Sequence, residues 1–329
     1  EIEELCRKAA KIAEVQLHDV PRALNYVIRG FGLSQNDASW GGEGDRLSGI
    51  LRRWDDVIDA WREAAEKGTS DAAVFHRRLA RWLGLAGREI HLQRYHLEQV
   101  VASEGRTIDD YKRLEELYVD DPRKHVWCLE RMVELCPPGE ARAIRLKICA
   151  LKESVFEDLE GAKVQLQLII ADKPGDIEAL EYLARVYTKL DAKAELLGVL
   201  QRLALLSDGL RKQGLRIDQA RLSEEIGLDE EALGIWWEIL GETSDNQVAL
   251  NSLESLSCRL GRWRSLADVY RRRLALLQGQ ESVDVMIQLA DLWSQRLGED
   301  DQALSVWKKV LSVRPEHRLA LESCARLSP

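Results

Sequence analysis

Apolar residues recur along this chain three and four positions apart, in blocks of about a dozen separated by short polar turns, which is the signature of amphipathic helices. The clearest block is Ala303-Leu-Ser-Val-Trp307-Lys-Lys-Val-Leu311, closed by Pro315. It returns as Ala232-Leu-Gly-Ile-Trp236-Trp-Glu-Ile-Leu240, and with leucine for tryptophan as Ala162-Lys-Val-Gln-Leu166-Gln-Leu-Ile-Ile170, closed by Pro174. From 162 to 232 is 70 residues and from 232 to 303 is 71; Leu196 with Leu200 and Leu266 with Tyr270 fall at the half-steps. The pattern predicts paired helices that repeat every three dozen residues or so.

Extended over the whole chain, the repeat places an anchor near the start of each second helix at Ala23, Val57, His91, His125, Ala162, Leu196, Ala232, Leu266 and Ala303. The gaps are 34, 34, 34, 37, 34, 36, 34 and 37 residues. Four residues after each anchor stands a large apolar or aromatic residue: Val27, Trp61, Tyr95, Leu129, Leu166, Leu200, Trp236, Tyr270 and Trp307. An i, i+4 pair lies on one helical stripe, so both members are expected in the core. Twelve residues before the anchor a small residue recurs, as Ala150, Ala184 and Ala220. In the last copy it is Ala290, one residue early, and a turn one residue longer is the expected reason.

Small residue, turn, anchor and large residue together resemble the tetratricopeptide repeat family, whose units are 34-residue pairs of antiparallel helices. The family's turn is matched by Leu260-Gly261-Arg262-Trp263, and Trp54 takes the aromatic place before Val57. The resemblance implies an all-α fold: a right-handed α-solenoid of about nine helix-turn-helix repeats plus a C-terminal capping helix, Glu316 to Leu327. It spans residues 1–329 as a single array. The glycine-rich stretch 30–49 interrupts it, and is expected to be an irregular loop or a break, since glycine costs about 1 kcal/mol per residue in a helix interior.

Composition changes the picture little. Apolar residues make 45% of the 329 positions and charged residues 31%, and the net charge of −9 is spread evenly between the halves, which argues against a nucleic-acid arm or a membrane-binding face. The six cysteines (Cys6, Cys128, Cys136, Cys149, Cys258 and Cys324) form no CxxC pair and read as free thiols of a reducing, cytoplasmic compartment. The opening Glu1-Ile-Glu-Glu-Leu-Cys has no methionine and begins in helical pattern, so a piece of a longer protein is expected.

Catalytic motifs are not found: no phosphate loop, nucleophile elbow or His-Glu-x-x-His helix occurs. His91 and His96 are five apart and do not share a helical face, and His125 with Cys128 would be two ligands without a third. No metal, no cofactor and no catalytic residue is therefore expected. The acidic pairs Glu115-Glu116, Asp120-Asp121 and Asp300-Asp301 read as helix starts or turns. The basic clusters Arg52-Arg53, Arg77-Arg78 and Arg271-Arg272-Arg273 read as solvated helix faces.

The resemblance also implies an inner groove lined by the first helix of each unit. Carried onto this sequence, its positions give Lys147, Arg185, Arg221 and Asn251, with Tyr182 nearby. The paired lysine and asparagine of the family's carboxylate-clamp subgroup are missing, so a chaperone tail is not the expected ligand. Lys147, Arg185 and Arg221 instead suggest a cationic ledge for an acidic protein or peptide, unless the two arginines simply pair with Glu181 and Glu224. Trp237 is the candidate exposed anchor for a partner, or else packs on the adjoining unit. The resulting expectation is a non-enzymatic interaction scaffold. The alternatives are a half-a-tetratricopeptide-like scaffold in an RNA-processing complex, suggested by Leu292-Trp-Ser-Gln-Arg-Leu-Gly298, and a regulatory repeat region of a larger enzyme.

Overall fold

A computed structural model describes residues 1–33, 38–66, 72–87, 90–137 and 139–327. Among them are nineteen α-helices and no strand. The helices fall into consecutive pairs. The first unit, Glu1–Asp172, holds α1 (Ile2–Val15) with α2 (Val20–Leu33), α3 (Ala38–Leu51) with α4 (Asp55–Glu66), and α5 (Ala72–Leu85) with α6 (Ile90–Ala102). It continues with α7 (Ile108–Leu117) and α8 (Pro122–Leu135), then α9 (Ala141–Ser154) and α10 (Leu159–Asp172). The second unit, Lys173–Pro329, holds α11 (Ile177–Lys189) with α12 (Lys193–Leu205), α13 (Gly209–Glu225) with α14 (Asp229–Glu242), and α15 (Gln247–Arg259) with α16 (Trp263–Leu276). It ends with α17 (Val283–Leu292), α18 (Asp300–Val313) and a last helix, α19 (Arg318–Leu327).

The helices turn sharply because one residue in nearly every corner adopts the left-handed conformation: His18, Arg52, Gly87, Glu157, Asp191, Gly227, Gly261 and Gly298, with φ between 53° and 81°. The next residue then donates back to the end of the first helix, as Leu228 N to Ser223 O (2.8 Å), Arg262 N to Ser257 O (2.8 Å) and Ala192 N to Tyr187 O (3.0 Å). This satisfies carbonyls that the helix end would leave orphaned. Seven of these left-handed residues stand five positions before an anchor identified from the sequence. The α7–α8 corner is made differently, by Asp121 capping α8 through Lys124 N (3.2 Å) and Pro122 in the first turn.

Gly87 is the exception that corrects the register. It lies four residues before His91, so the structural anchor of α6 is Leu92, with Ala80 twelve residues earlier and His96 four later. His91 and Tyr95, expected in the core, are exposed, Tyr95 by 52%. Leu97, Val100 and Val101 are buried instead. Elsewhere the stripe is as read: Ala23, Val27, Val57, Trp61, Leu129, Ala162, Leu166, Ala232, Trp236, Leu266, Tyr270, Ala303 and Trp307 are all buried. His125 is half-buried, and so are Leu196 and Leu200.

Two further expectations are corrected. The turn of the last pair is not longer: Gly298 keeps its five-residue distance to Ala303, and the extra residue is taken up by a π-helical turn, Trp293–Leu297, at the end of α17. Ala150 is exposed, and the buried small residue of α9 is Cys149. The stretch 30–49 is helical at both ends, with Gly30 buried in α2 and Trp40, Leu47 and Ser48 buried in α3. A Cβ on Gly30 would stand 2.2 Å from the Trp40 ring, so that glycine is a close-packing site. Residues 34–37 of this stretch lie outside the described residues.

Each unit has its own core. In the first, Trp61 and Trp82 meet at 4.9 Å with their rings tilted by 54°, between α4 and α5. In the second, Trp236 and Trp307 fill the space between hairpins. Within each unit most contacts run between helices adjacent in sequence, with α2 also meeting α4, as in a linear array.

Candidate functional site

The site is built on α11, α12 and α13. Asp176 caps α11 by accepting from Ala179 N (3.1 Å), and α11 then buries Ala179, Leu180, Leu183, Val186 and Tyr187. This rotation turns Ala184, Arg185 and Thr188 outward. α13 buries Ala220, Leu222 and Ser223 and leaves Asp218, Arg221 and Glu225 exposed. Between these two edges runs α12, whose anchor pair Leu196 and Leu200 forms the floor of a cavity of about 370 Å³ lined by all these residues. That open face is why this anchor stripe is only half-buried.

The ledge arginines therefore meet at one cavity. The Arg185 guanidinium lies 4.7 Å from the Tyr182 ring centre, a cation–π contact worth about 0.5–1 kcal/mol at such an exposed place. Neither Arg185 nor Arg221 has an ion pair among the described residues. The acids foreseen as their partners are engaged elsewhere: Glu181 by Arg211, and Glu224 by the Trp236 indole N–H (2.6 Å). Of the acids that share the cavity, Glu225 is paired with Lys193 at 3.3 Å. The rim thus combines an apolar floor with Arg185, Arg221 and Asp218, none of which has an ion pair among the described residues.

The other residues singled out in the sequence are not part of this cavity. Lys147 lies on α9 in the first unit, where its ammonium is 3.3 Å from Glu115. Asn251, on α15, accepts from Arg273 Nη2 (2.6 Å). Trp237 is half-buried rather than exposed: its indole N–H donates to Ser265 Oγ (3.1 Å) and Arg272 covers its ring at 5.3 Å. These are contacts to the adjoining helix α16.

Of the basic clusters, Arg52-Arg53 is exposed as read, whereas the other two are also engaged in contacts. Arg77 forms a twofold ion pair with Asp110 (2.7 Å to each oxygen), and Arg78 lies over Trp61 at 4.6 Å. Arg271 pairs with Asp268 (3.4 Å), Arg272 donates to Leu240 O (3.1 Å) and Arg273 pairs with Glu254 (2.7 Å). Glu115-Glu116 falls in the last turn of α7, not at a start, because Glu115 is held there by His125 Nε2 (3.0 Å) as well as Lys147.

Sequence reasoning missed two features. One is a second cavity, about 340 Å³, beside Val101, Tyr118 and Trp127, with Lys124 bonded to Glu98 (2.8 Å) at its edge. The other is the contact between His76 and His96, on different helices twenty residues apart, which no spacing rule could reveal. Among the described residues no three His, Cys, Asp or Glu side chains are grouped to hold a metal ion, and no helix is long and apolar enough to cross a membrane. Cys128 and Cys149 are buried, which pushes their thiols up to about 12 and about 11 and keeps them protonated.

Helix pairs of this length, joined by left-handed corners at a fixed distance from a buried anchor, make the chain a tetratricopeptide-like helical repeat protein. No family model and no curated protein matches the sequence. Among solved structures, a tetratricopeptide repeat protein from Parabacteroides merdae is similar over 79% of this chain and 100% of its own, at 12% identity and a TM-score of 0.31. YrrB, described as a TPR protein with an unusual peptide-binding site, is similar over 59% of this chain and 96% of its own, at 14% identity and 0.32. The complex of Naa15/Naa10 bound to HypK-THB matches 99% of this chain and 55% of its own, at 13% identity and 0.39. Likenesses this distant concern the fold alone.

Proposed function

We propose that this chain is a non-enzymatic protein-interaction scaffold and that a partner segment lies along the ledge between α11 and α13. The observation that carries the reading is the pair Arg185 and Arg221, exposed and without ion pairs, at the rim of a cavity floored by Leu196 and Leu200. Two free guanidiniums above an apolar floor suit an apolar side chain flanked by carboxylates, which they can grip bidentately. Asp218 restricts the match, disfavouring a segment that places two adjacent acids on its side. Lys147 and Asn251 are already held by Glu115 and Arg273, so the ledge narrows to Arg185, Arg221 and Tyr182.

The test is fluorescence anisotropy with labelled peptides that carry one leucine between glutamates. Arg185→Ala and Arg221→Ala are each expected to weaken binding about 5–30-fold, and the double change to abolish its salt dependence. Unchanged affinity in the double variant rejects the placement.

The RNA-scaffold reading is disfavoured by the state of the cations. Two of the three arginine clusters that would meet phosphates are held by Asp110, Asp268, Glu254 and tryptophan faces. A salt titration of RNA binding decides it: a protein that releases no counterions shows no slope.

A further inference from the structure

His76 on α5 and His96 on α6 point their Nδ1 atoms at one another across 2.9 Å. Their rings are half-buried, 5.1 Å apart between centres and tilted by 32°, and Tyr95 stands edge-on to both at 6.4 and 5.2 Å. A hydrogen bond accounts for one donor and one acceptor. It does not exhaust what two facing imidazoles can do, because two nitrogens at this distance are also the two adjacent corners of a coordination sphere. With metal–nitrogen bonds of about 2.0–2.1 Å, ligands at 90° stand about 2.9 Å apart and tetrahedral ligands about 3.4 Å.

We propose that His76 and His96 form a two-imidazole site for a divalent transition-metal ion that holds its ligands near 90°, of the nickel or cobalt kind, with water completing the sphere. Imidazole is a favoured ligand of such ions, and octahedral geometry matches the Nδ1 spacing once each ring turns about its χ2 so that its lone pair leaves the partner nitrogen and aims at the ion. Both rings are kept neutral: burial lowers His76, and burial, with the charges of His76 and Arg62, lowers His96 to about 4. Entry of the metal moves the shared Nδ1 proton to Nε2 of the same ring through water, so the imidazoles lose no proton overall. Arg62, whose charge acts on His96, is itself paired with Asp59 at 3.3 Å, which limits its repulsion. The site is separate from the ledge, since it lies in the first unit.

The test titrates the full chain with Ni²⁺, chosen because Cu²⁺ would oxidise exposed thiols such as Cys258. One site with micromolar affinity is expected by calorimetry, with paramagnetic shifts at the His76 and His96 rings in NMR spectra. His76→Gln and His96→Gln are each expected to weaken binding at least about tenfold, while His317→Gln leaves it unchanged. Ni²⁺ binding unaltered in both glutamine variants overturns the proposal. So does a wild-type spectrum in which other histidines shift and these two do not, a readout that stands even if a variant folds poorly.

Discussion

Trp236 shows how much one side chain holds. It is buried at the centre of a hairpin, and its indole N–H ends on Glu224 (2.6 Å), so both its area and its polar atom are satisfied. Trp236→Ala is expected to cost about 3–5 kcal/mol, read as a lower urea midpoint, and Trp236→Phe about 0.5–1.5 kcal/mol from the lost hydrogen bond. Asp110 is the polar counterpart, only 2% exposed. Burial by itself would raise its carboxyl, but the Arg77 ion pair and two bonds from Thr107 outweigh that and hold it below the usual carboxylate range. A depressed folded-state value means stability that is present above about pH 4 and lost as pH falls through the folded value. Asp110→Asn should therefore cost about 1.5–3 kcal/mol at neutral pH and flatten the acid limb of the stability curve, measured by denaturation between pH 2 and 7. The importance of Trp236 could be read from its spacing. That of Asp110 could not, because its partner lies 33 residues away on another helix.

At the level of the hairpin, spacing located almost every core stripe, since a helix must cover one face whatever its neighbours do. It slipped at α6, where His91 seemed to keep the 34-residue beat and the corner at Gly87 had moved by one. Left-handed backbone is invisible to hydrophobic pattern when the residue is not glycine, as at Arg52, Glu157 and Asp191. Those positions are strained for any residue with a Cβ. Glu157→Gly or Asp191→Gly is accordingly expected to raise stability by a few tenths to about 1 kcal/mol, and Gly261→Ala to lower it by about 1 kcal/mol, by thermal melts. The α5–α6 hairpin should also respond to acid. Its histidines are held below their ordinary value of about 6.5, so their contribution is intact above that pH and fades as pH falls toward about 4. The protection of α6 against hydrogen exchange, taken relative to the intrinsic rate at each pH, should fall across that window in the wild type and fall less in His96→Gln.

Within each unit, support passes between a helix and those one or two places along, so damage is expected to stay local. Trp307→Ala should expose α17, α18 and α19 to hydrogen exchange while α11 keeps its protection; uniform loss across the second unit would show stronger coupling. Such linear architecture was legible from the repeat itself. The proposed ledge was legible only as a row of positions, because which acids remain open to its arginines depends on where Arg211 and Trp236 reach. One detail of the last pair has a broader meaning. The single surplus residue in α17 is swallowed as a loosened π turn, while Gly298 keeps its distance to Ala303. Length errors in a first helix are thus absorbed upstream of the corner and never transmitted to the next module, so a lineage can gain or lose a residue there without re-fitting the stack.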